Sequence, residues 1–260
     1  MHEGYAELDG RRLWYRDSGG SGAALVLLHA RSGSSLFWEK QFPAFTAAGL
    51  RVIAHDRIGH GRSTLSSGAK PGTAADDVQA LVDYLRLERF HLLGTAAGGI
   101  VATDCALSFP GRIKSLVIAN SIVGVQDEDY VALGKRLRPA PSFDALPEHF
   151  RELGPQYRAA NAEGEARWIA LEHASQPQTP ITVKQAMRNR ITFSSLESIR
   201  LPVLLLTGDA DLYTPPAVLE LFKARIKHAQ TLIVENCGDS AYWEQPDVFN
   251  RVVLEFLKKN

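Results

Sequence analysis

The run Gly94-Thr95-Ala96-Ala97-Gly98-Gly99 follows a short apolar segment, Phe90-His91-Leu92-Leu93, and precedes a helix-like stretch from Ile100 to Phe109. Strand, tight glycine turn and helix are the setting in which a G-x-S-x-G elbow displays a nucleophile. The glycines let the chain turn sharply and let the helix approach the strand closely. The tip of this turn, position 96, is Ala. It carries no oxygen, sulfur or carboxylate. The setting is that of covalent catalysis, and the attacking atom is missing.

Other segments carry related signals. Ala23–Leu28 is an apolar strand ending in His29-Ala30-Arg31-Ser32-Gly33. Arg51–His55 runs into Asp56-Arg57-Ile58-Gly59-His60-Gly61-Arg62-Ser63. Val203–Thr207 leads to Gly208-Asp209-Ala210-Asp211, and Thr231–Val234 leads to Gly238-Asp239-Ser240-Ala241-Tyr242-Trp243-Glu244-Gln245-Pro246.

In this order the motifs resemble the α/β-hydrolase superfamily over nearly the whole chain. The resemblance implies an oxyanion loop at His29–Ser35, a triad acid at Asp211 and a triad base at position 239, in the chain order elbow, acid, base. Two positions depart from the pattern: Ala96 stands for the nucleophile and Asp239 for the histidine. A third, Ala30, replaces a usual glycine in the oxyanion loop. Ser-His-Asp chemistry needs nucleophile, base and orienting acid together, so this chain is not expected to form an acyl-enzyme. Asp209 competes with Asp211 as the loop acid, and the family spacing favours Asp211.

The resemblance also implies that Asp239 lies close to Asp211 beneath the elbow. Two carboxylates a few Å apart do not both ionise easily, so one pKa rises. Such a group serves as a general acid or base near neutral pH without a nucleophile. The alternative role for Asp239 is a helix cap. The backbone N–H groups of Ala97 and of Ala30 or Arg31 are the expected oxyanion donors, with Arg31 able to reach a carboxylate or enolate or else to stay solvated. Trp38, Tyr242 and Trp243 are candidate pocket walls, with core packing as their alternative. His29 and His60 are expected to support their loops, while His149 and His173 are candidate replacement bases. No metal or dinucleotide motif is present, and no cofactor is expected.

These groups need elements to hold them. Tyr5–Leu8 and Leu13–Arg16 flank Asp9-Gly10, a hairpin signal. Afterwards apolar runs alternate with helical patterns at Phe37–Ala48, Ala74–Leu87, Ala97–Phe109, Ala217–Ile226 and Pro246–Leu257. Runs apolar throughout read as buried parallel strands, and the alternation implies right-handed crossovers. The expected fold is therefore α/β: a mostly parallel twisted sheet flanked by helices. Residues 123–198 break the alternation with Pro139, Pro141, Pro147, Pro155, Pro177 and Pro180. Their helical pieces, Glu148–Ala160 and Glu163–Ala174, suggest a helical lid inserted into a core of residues 1–122 and 199–260.

With 260 residues, 29 Lys and Arg, and 29 Asp and Glu, nothing points to nucleic acid or a charged membrane surface. Met1-His2-Glu3-Gly4-Tyr5 has no signal-peptide character, and no apolar run reaches the roughly 18 residues of a membrane span. Cys105 and Cys237 form no C-x-x-C, which suits a reducing, cytoplasmic setting. The expected partner is a small carbonyl-containing molecule, handled by acid–base chemistry. The alternatives are a triad-disabled variant of an ester, lactone or carbon–carbon bond hydrolase, and a ligand-binding protein without turnover.

Overall fold

The computed structural model describes residues 1–177, 183 and 185–260, so Pro180 of the expected lid lies outside the described residues. The hairpin forms as β1 (His2–Leu8) and β2 (Arg11–Asp17), paired antiparallel through Leu8 and Arg11. Asp9 and Gly10 both take positive φ, at 48° and 81°. That is the backbone twist a two-residue hairpin needs. Then come β3 (Ala24–Leu28), a 3-10 turn, α1 (Gln41–Ala47), β4 (Arg51–His55), the short β5 (Thr64–Leu65) and α2 (Ala74–Tyr84). β6 (Phe90–Thr95), α3 (Ala97–Ser108) and β7 (Ile113–Ala119) follow.

Between β7 and the next strand the chain makes a helical excursion: α4 (Glu128–Leu137), α5 (Glu148–Glu152), α6 (Pro155–Ala160), α7 (Ala162–Ala174) and α8 (Phe193–Glu197). It returns through β8 (Val203–Gly208), α9 (Pro216–Arg225), β9 (Gln230–Val234), α10 (Ala241–Glu244) and α11 (Pro246–Leu257). The sheet runs β1-β2-β4-β3-β6-β7-β8-β9, with β5 paired to β2. The six strands from β4 to β9 along this path pair parallel.

β3, β6 and β8 are buried at every residue, which explains their continuous apolar character. One core layer, with Val26, Leu92, Ile118 and Leu205, packs α2, α3 and α9 against one face of the sheet. The other, with Leu27, Leu93, Val117 and Leu206, packs α1 and α11 against the opposite face.

Two expected helices are interrupted. Phe37–Ala48 divides into the 3-10 turn Ser35–Glu39 and α1, with a kink at Trp38. Glu148–Ala160 divides at Leu153–Gly154 into α5 and α6. Pro155 has no N–H to continue the first helix and suits the start of the second.

Candidate active site

The elbow is present as backbone geometry. Ala96 joins β6 to α3 at φ 47°, ψ −116°. This conformation is unfavourable for any residue with a Cβ, by about 1–3 kcal/mol. Hydrogen bonds enforce it: Ala96 N–H donates to Ala119 O at 3.0 Å, and Ala96 O accepts from Gly99 N–H at 3.0 Å and Ser121 Oγ at 2.6 Å. A Cβ on Gly94 would overlap the Gly98 carbonyl, and one on Gly98 would overlap the Leu28 carbonyl. The two glycines therefore permit the contact of α3 with β6 and β3.

Above the turn lies a cavity of about 180 Å³. Ala96, Ala97, Ile100, Asn120, Ile122, Arg31, Glu152, Tyr213 and Asp239 line it. It falls below the range of roughly 300–1,000 Å³ of drug-sized sites, so it suits a small molecule. Ala97 is the first residue of α3, so its N–H has no acceptor within the helix. That N–H is a ready donor to a developing oxyanion.

Asp211 and Asp239 come together after the ends of β8 and β9, and Asp209 lies at the surface. Asp209 is exposed and accepts from Cys237 N–H at 3.1 Å. Asp211 is buried and accepts from Asn120 Nδ2 at 3.1 Å, Tyr213 N–H at 2.7 Å and Thr214 N–H at 2.8 Å. Burial raises its pKa, but these donors oppose the rise by favouring the anion. Asp211 is thus furnished with hydrogen-bond donors on both carboxyl oxygens.

Asp239 is furnished the opposite way. It is 1 % exposed, and its Oδ1 has no donor to satisfy it. Burial, then the charges of Asp211 and Glu152, hold its pKa well above the usual carboxylate range. The cap role fails: the residue at the N-terminus of α10 is Ser240, and no side chain caps that helix.

Glu152, at the end of α5, is a site residue that sequence reasoning missed. It is 4 % exposed, lines the cavity beside Asp239, and is pushed up to about 7, first by burial. No motif marks it, because it sits 87 residues before Asp239 in an irregular helical segment. The result is three neighbouring buried carboxyl groups, each with its pKa raised first by burial.

Arg31 also lines the cavity, paired with Glu148 Oε1 at 2.6 Å. Ala30 does not line it. Its carbonyl faces inward and accepts from Arg57 Nη2 at 3.1 Å and from His29 Nδ1 at 2.7 Å. His29 Nε2 accepts from Arg57 N–H at 3.0 Å, so His29 is neutral, and burial followed by Arg57 lowers its pKa well below normal. His60 Nε2 meets Arg31 O at 3.0 Å. Both histidines support the loop, as expected.

Trp38, Tyr242 and Trp243 are not cavity walls. All three are at most 1 % exposed and belong to the core layer behind the sheet, where Trp38 stacks on Tyr242 at 5.1 Å and Trp243 on Phe37 at 6.1 Å. Their area is better buried against α1 and α11 than left on a small cavity. His149 lies 3.7 Å from Glu165, and His173 is 75 % exposed beside Glu172, so neither reaches the cavity as a base. Cys105 and Cys237 are buried and unpaired. Among the described residues no group of His, Cys, Asp and Glu is arranged to hold a metal, and no helix is long and apolar enough to cross a membrane.

The geometry agrees with comparisons to known proteins. The chain is 30% identical, over 95% of its length and 91% of the relative's, to a 2-hydroxy-6-oxononadienedioate/2-hydroxy-6-oxononatrienedioate hydrolase of Burkholderia vietnamiensis. It is similar to the crystal structure of a hydrolase from Pseudomonas aeruginosa, with TM-score 0.78, 26% identity and 98% of each chain covered. A thermophilic esterase from Thermogutta terrifontis shares the fold, with TM-score 0.81 at 22% identity over 100% of this chain and 99% of that one. The pattern of the alpha/beta hydrolase family matches residues 25–252, and the chain belongs to that family.

Proposed function

We propose that this protein carries out non-covalent acid–base chemistry on a small carbonyl compound. The working groups are the Asp239–Glu152 carboxyl pair, with Asp211 held beside Asp239 by its own donors. Residues 123–198 act as a lid that carries Glu152 over the elbow. The observation that carries this reading is two neighbouring buried carboxyl groups, both with raised pKa, on the wall of a cavity that Ala96 and Ala97 also line. Near neutral pH one member of such a pair is a base and the other an acid. A proton removed beside the carbonyl, or from an attacking water, is taken by the ionised carboxyl group. The protonated member returns a proton to the product. Negative charge developing on the carbonyl oxygen meets Ala97 N–H, with Arg31 available for an acidic substituent. The Burkholderia relative is named for a hydroxy-oxo-dioate, a compound with both a carbonyl and acidic groups.

The test is turnover of a panel of small keto and enol acids by Asp239→Asn and Glu152→Gln. Both should lose at least a hundredfold in kcat while retaining ligand binding, consistent with general acid–base contributions of about 10²–10⁴. Unchanged turnover in stably folded Asp239→Asn would remove the pair from the mechanism.

A second reading is favoured by one specific observation: the costly φ and ψ of Ala96 persist although no side chain profits from being displayed there. On this reading the site is an ester, lactone or carbon–carbon bond hydrolase with its triad disabled. Ala96→Ser with Asp239→His should then gain hydrolysis of an activated ester, and either change alone little, because a triad acts as a unit. A folded, inactive double variant counts against it.

A further inference from the structure

Glu244 is buried, is 6 % exposed, and is not part of the cavity wall. Among the described residues its carboxylate makes no ion pair and accepts only main-chain N–H groups. Oε2 accepts from Gly154 N–H at 2.9 Å, and Gly238 N–H lies 3.1 Å from both oxygens. Oε1 accepts from Ser240 N–H at 3.3 Å. These donors come from two parts of the chain. Gly238 and Ser240 flank Asp239, and Gly154 lies two residues beyond Glu152.

We propose that Glu244 is a positioning residue that clips the Asp239 loop to the end of α5 and thereby holds the Asp239 and Glu152 carboxyl groups against each other. Two further observations support the clip. The backbones of Gly154 and Gly238 are so close that a Cβ on Gly154 would lie 2.8 Å from Gly238 N. Only glycine at both positions lets the two strands of chain share one carboxylate. The break between α5 and α6 also falls at Gly154, where the freed N–H is the one Glu244 receives. A charged acceptor of several backbone donors is among the stronger hydrogen-bonding arrangements, and leaving three buried N–H groups unpaired would be costly. The inference rests on the reading of Asp239 and Glu152 as a working pair, but its test does not need their activity.

Glu244 itself is pushed up to about 7, first by burial, with Asp211 adding to the rise and its three backbone donors opposing it. Tyr157, Tyr242 and Cys237 also face it. In the wild-type full chain, amide NMR resonances of Gly154, Gly238 and Ser240 should therefore titrate with one common midpoint. The Cys237 amide, bonded to Asp209, should not follow it. In Glu244→Gln, carboxyl 13C titration should show the Asp239 midpoint falling by about one pH unit or more, a tenfold gain in acidity, because separation removes the raising influence of Glu152 and admits solvent. A Gly154 amide that titrates apart from Gly238 and Ser240 in the wild type overturns the proposal, whether or not the variant folds. So does a folded Glu244→Gln whose Glu152 and Asp239 titrations are unchanged. If instead Asp239→Asn leaves turnover intact while these titrations behave as expected, the catalytic reading fails and the clip stands.

Discussion

Replacing Glu152 by Gln should stabilise the protein in a pH-dependent way. The Glu152 pKa rises from 4.5 to about 7 on folding. The folded state thus holds the proton more tightly than the unfolded chain. The group costs nothing below about pH 4.5, and stability is lost as pH rises towards and through 7. A shift of this size corresponds to about 3 kcal/mol at alkaline pH, at roughly 1.4 kcal/mol per unit. Gln is a neutral isostere and can still accept a hydrogen bond from protonated Asp239. At pH 5 the variant should therefore be more stable by no more than about 1 kcal/mol. At pH 8.5 the variant should be more stable by up to about 3 kcal/mol, or roughly 6–12 °C in melting temperature for a chain of this size. Removing the Glu152 charge also relieves Asp239, so the combined Glu152→Gln, Asp239→Asn variant should gain less than the sum of the two. The assay is thermal unfolding of all four proteins between pH 5 and 8.5. The buried His55 and His91 and the half-buried His60, lowered to about 3, 4 and 4, add a loss of stability on the acid side. That loss is common to all variants and cancels in the differences. A stability difference between wild type and Glu152→Gln that does not change across this range would refute the raised Glu152 pKa.

Three further outcomes are expected. Serine-directed phosphonate probes should leave the protein unmodified in mass spectrometry, because Ala96 offers no nucleophile at the elbow; a stoichiometric adduct on that turn would contradict this. Ala96→Gly should raise stability by about 1 kcal/mol in denaturant unfolding, since glycine relieves the positive φ at that position; an equal or larger loss would mean the turn is not strained. Trp38→Ala should cost about 3–5 kcal/mol of stability while ligand affinity at the cavity stays unchanged, because Trp38 is fully buried behind the sheet; a selective loss of ligand binding would restore it as a pocket wall.

The sequence by itself determined the elements and the frame of the site. Apolar runs such as Leu25–Leu28 and His91–Leu93 can be buried on both faces only as central parallel strands, and they are. Gly94 and Gly98 mark a close approach of backbones that any Cβ would block, so the elbow is legible even with Ala at its tip. Asp211 is legible because its place after β8 is local to one strand end. Only the tertiary structure decided which other groups share the cavity. Glu152 reaches Asp239 because the helical excursion folds back over the strand ends, and no spacing in the chain encodes that return. Glu244 sits beside Asp239 in sequence, yet its task depends on the Gly154 N–H, which arrives from 90 residues away. The aromatic residues near both motifs were ambiguous for the same reason: an apolar ring suits a cavity wall or a core equally well, and which side of the sheet it faces is fixed by packing against α1 and α11. Local backbone rules act over a few residues and can be read along the chain. Burial and the clustering of carboxyl groups arise between segments that meet only when the sheet is assembled.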